Sequence, residues 1–148
     1  MSRETRILVI DDEPILRESL QAWLERDGYS VEAVATGEKS LERIRQVNFD
    51  LVFLDLKLED IDGLQVLSRI KEEDSDTTVV MITAYGSVPS AVEAMKQGAE
   101  DYLLKPFEPE ELSVLIEKII SRKAQEKENL YLRMEQRERT RFESLLGQ

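Results

Sequence analysis

Cysteine and histidine are both missing from this chain of 148 residues. Without cysteine there is no disulfide, no thiolate nucleophile and no thiolate metal ligand, a usage that suits a cytoplasmic protein. Without histidine the usual proton shuttle and the commonest transition-metal ligand are gone, which argues against a zinc site. No run of 18 or more apolar residues occurs, so no membrane-spanning helix is expected. The opening Met1-Ser2-Arg3-Glu4-Thr5-Arg6 lacks the apolar core of a secretory signal. Basic charge is also short, and the net charge is −11. Residues 121–148 hold seven Lys/Arg and five Glu, a net of +2, which leaves −13 on the rest. An acidic body of this kind is a poor non-specific binder of nucleic acid.

The apolar residues, 41% of the chain, are gathered in short runs that end in a polar residue. Ile7-Leu8-Val9-Ile10 ends in Asp11-Asp12, Leu51-Val52-Phe53-Leu54 in Asp55, and Val79-Val80-Met81-Ile82 in Thr83. Tyr102-Leu103-Leu104 ends in Lys105-Pro106. Continuous apolar runs read as strands buried on both faces, the habit of parallel sheets. Helical periodicity fills the intervals. Residues 14–27 carry a stripe of Ile15, Ser19, Ala22 and Trp23 with Leu16, Leu20 and Leu24, closed by Asp27-Gly28. Thr36-Gly37 opens a second helix with Leu41 and Ile44 inward. Gly63 opens a third with Leu64, Val66, Leu67 and Ile70. A fourth puts Val88, Val92 and Met95 inward and closes at Gln97-Gly98. With a weaker strand at 30–34 and a last helix from Pro109, five strands alternate with five helices. The fold class is therefore α/β, a doubly wound five-stranded parallel sheet of flavodoxin-like order 2-1-3-4-5.

In such a sheet ligands bind at the carboxyl ends of the strands, and the order places Asp11, Asp12 and Asp55 side by side. Packed carboxylates repel, and a hard divalent cation relieves the repulsion. Mg²⁺ suits two or three carboxylates completed by water, a backbone carbonyl and phosphate oxygens. Lys105 offers an ammonium and Thr83 a hydroxyl to the same phosphate. A carboxylate can itself attack phosphorus to give an acyl phosphate, and phosphoryl transfer needs little beyond positioning and charge stabilisation. Taken singly these residues have plainer uses. An aspartate after a strand is commonly a turn or cap residue, and Asp12, just before Pro14, fits that use. The set at four strand ends is what points to a site.

The strings Val9-Ile10-Asp11-Asp12-Glu13, Leu54-Asp55-Leu56, Asp62-Gly63, Thr83-Ala84 and Lys105-Pro106-Phe107 resemble the receiver domain of two-component response regulators. The resemblance covers about residues 5–120. It implies that Asp55 is the phosphoacceptor, taking a phosphoryl group from a sensor histidine kinase. Asp12 would ligate Mg²⁺ directly, Asp11 chiefly through water, and the Lys57 backbone carbonyl would complete the protein ligands. Thr83 and Lys105 would hold the phosphoryl oxygens, Tyr102 would be the switch aromatic, and Lys105-Pro106 would be a cis peptide bond. The protein would be no enzyme with a separate substrate, but a regulatory phosphoacceptor with Mg²⁺-dependent self-phosphorylation and autodephosphorylation.

A narrower resemblance joins Thr83-Ala84-Tyr85-Gly86-Ser87-Val88 and Ala91-Val92-Glu93-Ala94-Met95-Lys96-Gln97-Gly98-Ala99 to the NtrC group of sigma-54-dependent activators. The tail Arg141-Phe142-Glu143-Ser144-Leu145-Leu146-Gly147-Gln148 is similar to the start of their AAA+ domain. This implies a receiver (1–120), a helical linker (121–141) and the beginning of a following domain (142–148), with ATPase and DNA-binding parts outside this chain. Homodimerisation through the last helices and linker is then expected, with no direct contact to nucleic acid or membrane.

In the last helix, Leu112, Leu115, Ile116, Ile119 and Ile120 are expected to pack on the sheet. Farther along, positions 116, 120, 123, 127, 130, 134, 137 and 141 follow heptad spacing, but half of them are charged. A solvated linker helix and a dimeric coiled coil both fit that pattern. The sequence also departs from the receiver pattern. Leu58-Glu59 stands where a Met-Pro pair is usual, Glu59 and Asp60 add charge beside the site, and Glu100 replaces a frequent aromatic. Two other readings compete. An aspartyl phosphohydrolase is disfavoured by Lys57, where such enzymes commonly carry a second Asp. A phosphate-independent or stand-alone interaction module is disfavoured by the complete residue set.

Overall fold

Three strand interiors are sealed from water. Ile7 through Ile10, Val52 through Leu54 and Val79 through Ile82 are all fully buried, which is what a parallel sheet covered on both faces requires. The computed structural model describes residues 4–84 and 86–146. Tyr85, Gly147 and Gln148, which belong to the motifs above, lie outside them. Two compact units are distinguished, Met1–Phe107 and Glu108–Gln148.

The first unit runs β1 (Arg6–Ile10), α1 (Pro14–Arg26), β2 (Ser30–Val34), α2 (Gly37–Gln46), β3 (Leu51–Asp55), α3 (Gly63–Glu73), β4 (Thr78–Thr83), α4 (Val88–Lys96) and β5 (Asp101–Leu104). The strands form one parallel sheet in the order β2-β1-β3-β4-β5, the doubly wound arrangement expected from the alternation. The edges β2 and β5 are the least buried strands, while β1, β3 and β4 form the centre. The core below α2 and α3 unites Leu41, Ile44, Val66, Leu67 and Ile70 with Leu8, Val52 and Val79.

The helix boundaries follow their capping chemistry. Thr36 accepts the Lys39 N–H at 3.1 Å and opens α2, and Asp62 accepts the Leu64 N–H at 3.0 Å and opens α3. Ser87 and Ser90 close a reciprocal capping box on α4. Gly28 and Gly98, at φ 98° and 101°, take the left-handed conformation after α1 and α4.

Two helix faces differ from the pattern read in the sequence. In α1 only Leu20 and Leu24 are buried, with Leu16 and Trp23 half-buried, while Ile15 is 81% exposed and Ser19 and Ala22 are exposed. The i, i+4, i+8 ridge Leu16-Leu20-Leu24 carries the contact, and Ile15 sits a quarter-turn off it. In α4 the buried residue is Ala94, whereas Val88, Val92 and Met95 are 78%, 47% and 47% exposed. The helix lies down on its alanine side, which admits a closer approach, and turns its larger apolar side chains outward.

The second unit is one continuous helix, α5 (Pro109–Leu146), of 38 residues and about 57 Å. Its buried residues are Leu112, Ile116 and Ile119, with Leu115 and Ile120 half-buried. Every described side chain from Ala124 to Leu145 is exposed, including Leu130, Tyr131, Leu132, Met134 and Phe142. Among the described residues no helix is long and apolar enough to cross a membrane.

Candidate functional site

Strand register builds the site. Ile10 pairs with Leu54, so the next residues, Asp11 and Asp55, leave the sheet side by side. Asp55 pairs with Ile82, which sets Thr83 one step farther along the adjoining strand. Thr83 pairs with Leu104, and the Lys105 N–H donates to the Thr83 carbonyl at 2.8 Å. Lys105-Pro106 is a cis peptide bond, as the motif implied.

Carboxylate oxygens of Asp11, Asp12 and Asp55 lie within 4.8 Å of one another. Asp11 and Asp55 are buried and Asp12 is half-exposed. The cap position before α1 is Glu13, which makes no side-chain cap hydrogen bond, so Asp12 is not spent as the helix cap. Lys105 reaches into the cluster. Its Nζ is 2.8 Å from Asp11 Oδ2 and 3.1 Å from Asp55 Oδ2, and 3.8 Å from Glu13. The contact to Asp55 is a hydrogen bond. That to Asp11 is the shorter of the two ion pairs. Asp11 Oδ1 accepts the Glu13 N–H at 2.9 Å, and Asp55 Oδ1 accepts the Lys57 N–H at 3.2 Å.

These contacts set the electrostatics. Burial pushes the Asp55 carboxyl above its ordinary range, the Lys105 ammonium pulls it back, and the Asp11 charge pushes it up again, with a net rise. Burial works against the Lys105 charge, but Asp11 and Asp55 more than offset it and hold the ammonium above its ordinary range. The cluster is thus short of positive charge. Three oxygen donors close together, two of them on buried carboxylates, and no nitrogen or sulfur ligand nearby form a donor set that fits a hard cation such as Mg²⁺.

Thr83 is fully buried at the end of β4. Tyr102 is half-buried, and its hydroxyl shares a 3.1 Å hydrogen bond with Ser90 Oγ, so it is tied to the first turn of α4. Two contributors had no signature in the sequence. Arg17, one turn into α1, donates from Nη1 to the Asp11 carbonyl at 2.8 Å and braces the β1–α1 connection. Asp60 turns its carboxylate to the first amides of α2, which hold it below the ordinary carboxylate range despite partial desolvation.

Gly63 sets the floor of the loop that follows Asp55. A Cβ there would press on the Asp55 carbonyl and come within 2.6 Å of the Leu56 carbonyl oxygen. Gly63→Ala is expected to cost about 3 kcal/mol through this overpacking against backbone. A thermal melt should show the loss as a fall of roughly 10 °C.

Comparison with known proteins places this geometry. The model of the response regulator receiver domain matches residues 7–117. The transcriptional regulatory protein ResD of Bacillus subtilis is 34% identical over 124 residues, which make up 84% of this chain and 51% of ResD. The chain spans about half the length of the curated relatives it matches. Among solved structures, NtrX from Brucella abortus superposes with a TM-score of 0.81 at 31% identity, over 88% of this chain and 30% of that one. A response regulator protein from Burkholderia pseudomallei, solved with a phosphorylated aspartic acid, calcium ion and citrate, gives 0.72 at 30% identity, over 83% of this chain and 73% of that one. With the sheet order, the three-acid cluster and the Lys105 ion pairs already in place, these likenesses establish that the chain belongs to the response regulator receiver domain family.

Proposed function

We propose that Asp55 is the phosphoacceptor of this receiver and that it takes its phosphoryl group from a phosphohistidine of a sensor kinase. The observation that carries the reading is the pairing of a buried, charge-frustrated Asp55 with Lys105 at 3.1 Å, beside two further carboxylates. An Asp55 oxygen attacks phosphorus, the phosphorus–nitrogen bond breaks, and the imidazole leaves with the electron pair. Asp11, Asp12, Asp55 and the Lys57 carbonyl would hold Mg²⁺, which supplies positive charge against the phosphoryl oxygens. Lys105 and the Thr83 hydroxyl bind those oxygens, and Tyr102 follows Thr83 as the switch aromatic. The phosphorylated aspartate and cation in the Burkholderia relative support the same chemistry here.

The finer reading is that the chain is the receiver and linker of an NtrC-type, sigma-54-dependent transcription activator, dimerising through its last helices. The Thr83–Ala99 motif and the likeness to NtrX support it. So does the exposed apolar content of α5 beyond Ala124, which a second helix would cover.

Acetyl phosphate with Mg²⁺ should add one phosphoryl group per chain, seen by intact mass and removed by hydroxylamine as an acyl phosphate is. No adduct would overturn the phosphoacceptor role. Light scattering with and without beryllofluoride should show a change in mass if the switch acts on dimerisation.

A further inference from the structure

We infer that Asp60 is a positioning residue for the cation site, clasping the loop of residues 57–62 to the first turn of α2. The inference rests on the reading that the Lys57 carbonyl serves a cation held by Asp55.

Asp60 Oδ1 accepts the Gly37 N–H at 3.0 Å, and Oδ2 accepts the Glu38 N–H at 2.9 Å. Thr36, the cap residue of α2, takes the Lys39 N–H instead. The three orphan amides of that helix end are therefore shared between its own cap and a residue 22 positions away in sequence. The approach is tight. A Cβ on Gly37 would stand 2.8 Å from Val66 Cγ2 and 3.4 Å from Ile61 Cβ, so α2 meets the loop and α3 with no room for a side chain. At its other end the same loop is fastened to the site. The Lys57 N–H donates to Asp55 Oδ1, Lys57 and Asp62 form an antiparallel bridge, and the Gly63 N–H donates to the Leu56 carbonyl at 2.9 Å.

Three facts follow for the chemistry. Asp60 spends its charge on helix amides rather than on an already acidic crevice. The loop that carries Lys57 is held against two helices and one strand, so its carbonyl is pre-positioned. Events at Asp55 and the first turn of α2 are then linked, and linkage is reciprocal.

The test compares the full chain with Asp60→Ala, Asp60→Asn and Thr36→Ala. Phosphoryl uptake from acetyl phosphate is followed against Mg²⁺ concentration, and amide NMR resonances of Gly37 and Glu38 are followed in a parallel Mg²⁺ titration. Asp60→Ala should raise the half-saturating Mg²⁺ concentration about tenfold and leave uptake at saturating Mg²⁺ unchanged. Asp60→Asn, which can keep one of the two bonds, should fall between. Thr36→Ala loosens α2 without touching the loop and should titrate like the wild type. In the wild type, Mg²⁺ should move the Gly37 and Glu38 resonances. A wild-type response with an unshifted Asp60→Ala, or an equal shift in Thr36→Ala, would overturn the inference alone. A wild type indifferent to Mg²⁺ would overturn the cation reading itself, and the inference with it.

Discussion

Asp55→Asn should lose phosphoryl uptake completely and, in metal-free buffer, melt several degrees higher than the wild type. The first effect follows from chemistry, since a carboxamide is no nucleophile towards phosphorus at neutral pH. The second follows from burial. Asp55 is 4% exposed and its carboxyl is held above the ordinary range by desolvation and by Asp11, with Lys105 offsetting only part of this. A carboxyl raised in the folded state contributes most to stability below its unfolded pKa of about 3.9 and loses that contribution as pH climbs through the raised value. At neutral pH the ionised group therefore weakens the fold. The stability advantage of Asp55→Asn should be full at neutral pH and shrink as the pH is lowered through the folded pKa, where the wild type relieves itself by protonation. Mg²⁺ should reverse the order. A cation that binds only the folded wild type adds about 2.7 kcal/mol at a hundredfold excess over its dissociation constant, and the variant has lost a ligand. Thermal melts over pH with and without Mg²⁺ read all of this. Equal melting temperatures at neutral pH would show that Lys105 fully neutralises Asp55.

Much of the site is legible in the sequence because parallel sheets are written in a redundant code. A strand buried on both faces must be continuously apolar, so the first polar residue after it marks the strand end. That is how Asp11, Asp55, Thr83 and Lys105 could be found, and the register then confirms their adjacency. Caps were legible for a similar reason, because Thr36, Gly28 and Gly98 each meet a local backbone need. What was not legible depends on partners far away in sequence. The periodicity of α4 correctly marks an apolar face at Val88, Val92 and Met95, but it cannot say whether anything covers that face. The burial of Ala94 instead shows that α4 lies on a side other than the one its larger apolar residues mark. From the sequence Asp60 reads only as added charge beside Asp55. Its carboxylate proves to be committed to Gly37 and Glu38, a contact that no local pattern encodes. Arg17 belongs with it, since nothing in its helical neighbourhood announces a bond to the Asp11 carbonyl.

The largest stability effect is expected at Lys105. Its side chain is 11% exposed and lies between Asp11 and Asp55, whose side chains are 0% and 6% exposed. Lys105→Met keeps the apolar stem and removes the charge, leaving two carboxylates buried without a counter-ion. Removing one partner of a buried ion pair costs about 3–5 kcal/mol, which at neutral pH would consume much of a typical folding free energy of about 5–15 kcal/mol. The loss should be smaller in acid, where Asp55 takes up a proton, and smaller in Mg²⁺, which replaces the missing charge. On the proposed function phosphoryl uptake should fall as well, because Lys105 would then be missing from the incoming oxygens. The wild-type contribution has the opposite pH limit. The ammonium is raised in the folded state, so its stabilisation is fully present below its unfolded pKa of about 10.4 and is lost as pH rises through the folded value. The decisive comparison is the double variant Lys105→Met with Asp55→Asn. If the cost of losing Lys105 is the uncompensated charge of Asp55, the second substitution should restore most of the lost stability, and the two effects should be far from additive. A double variant as unstable as Lys105→Met alone would mean that Lys105 supports the fold through packing of its stem, and that Asp11 by itself sets the electrostatics of the crevice.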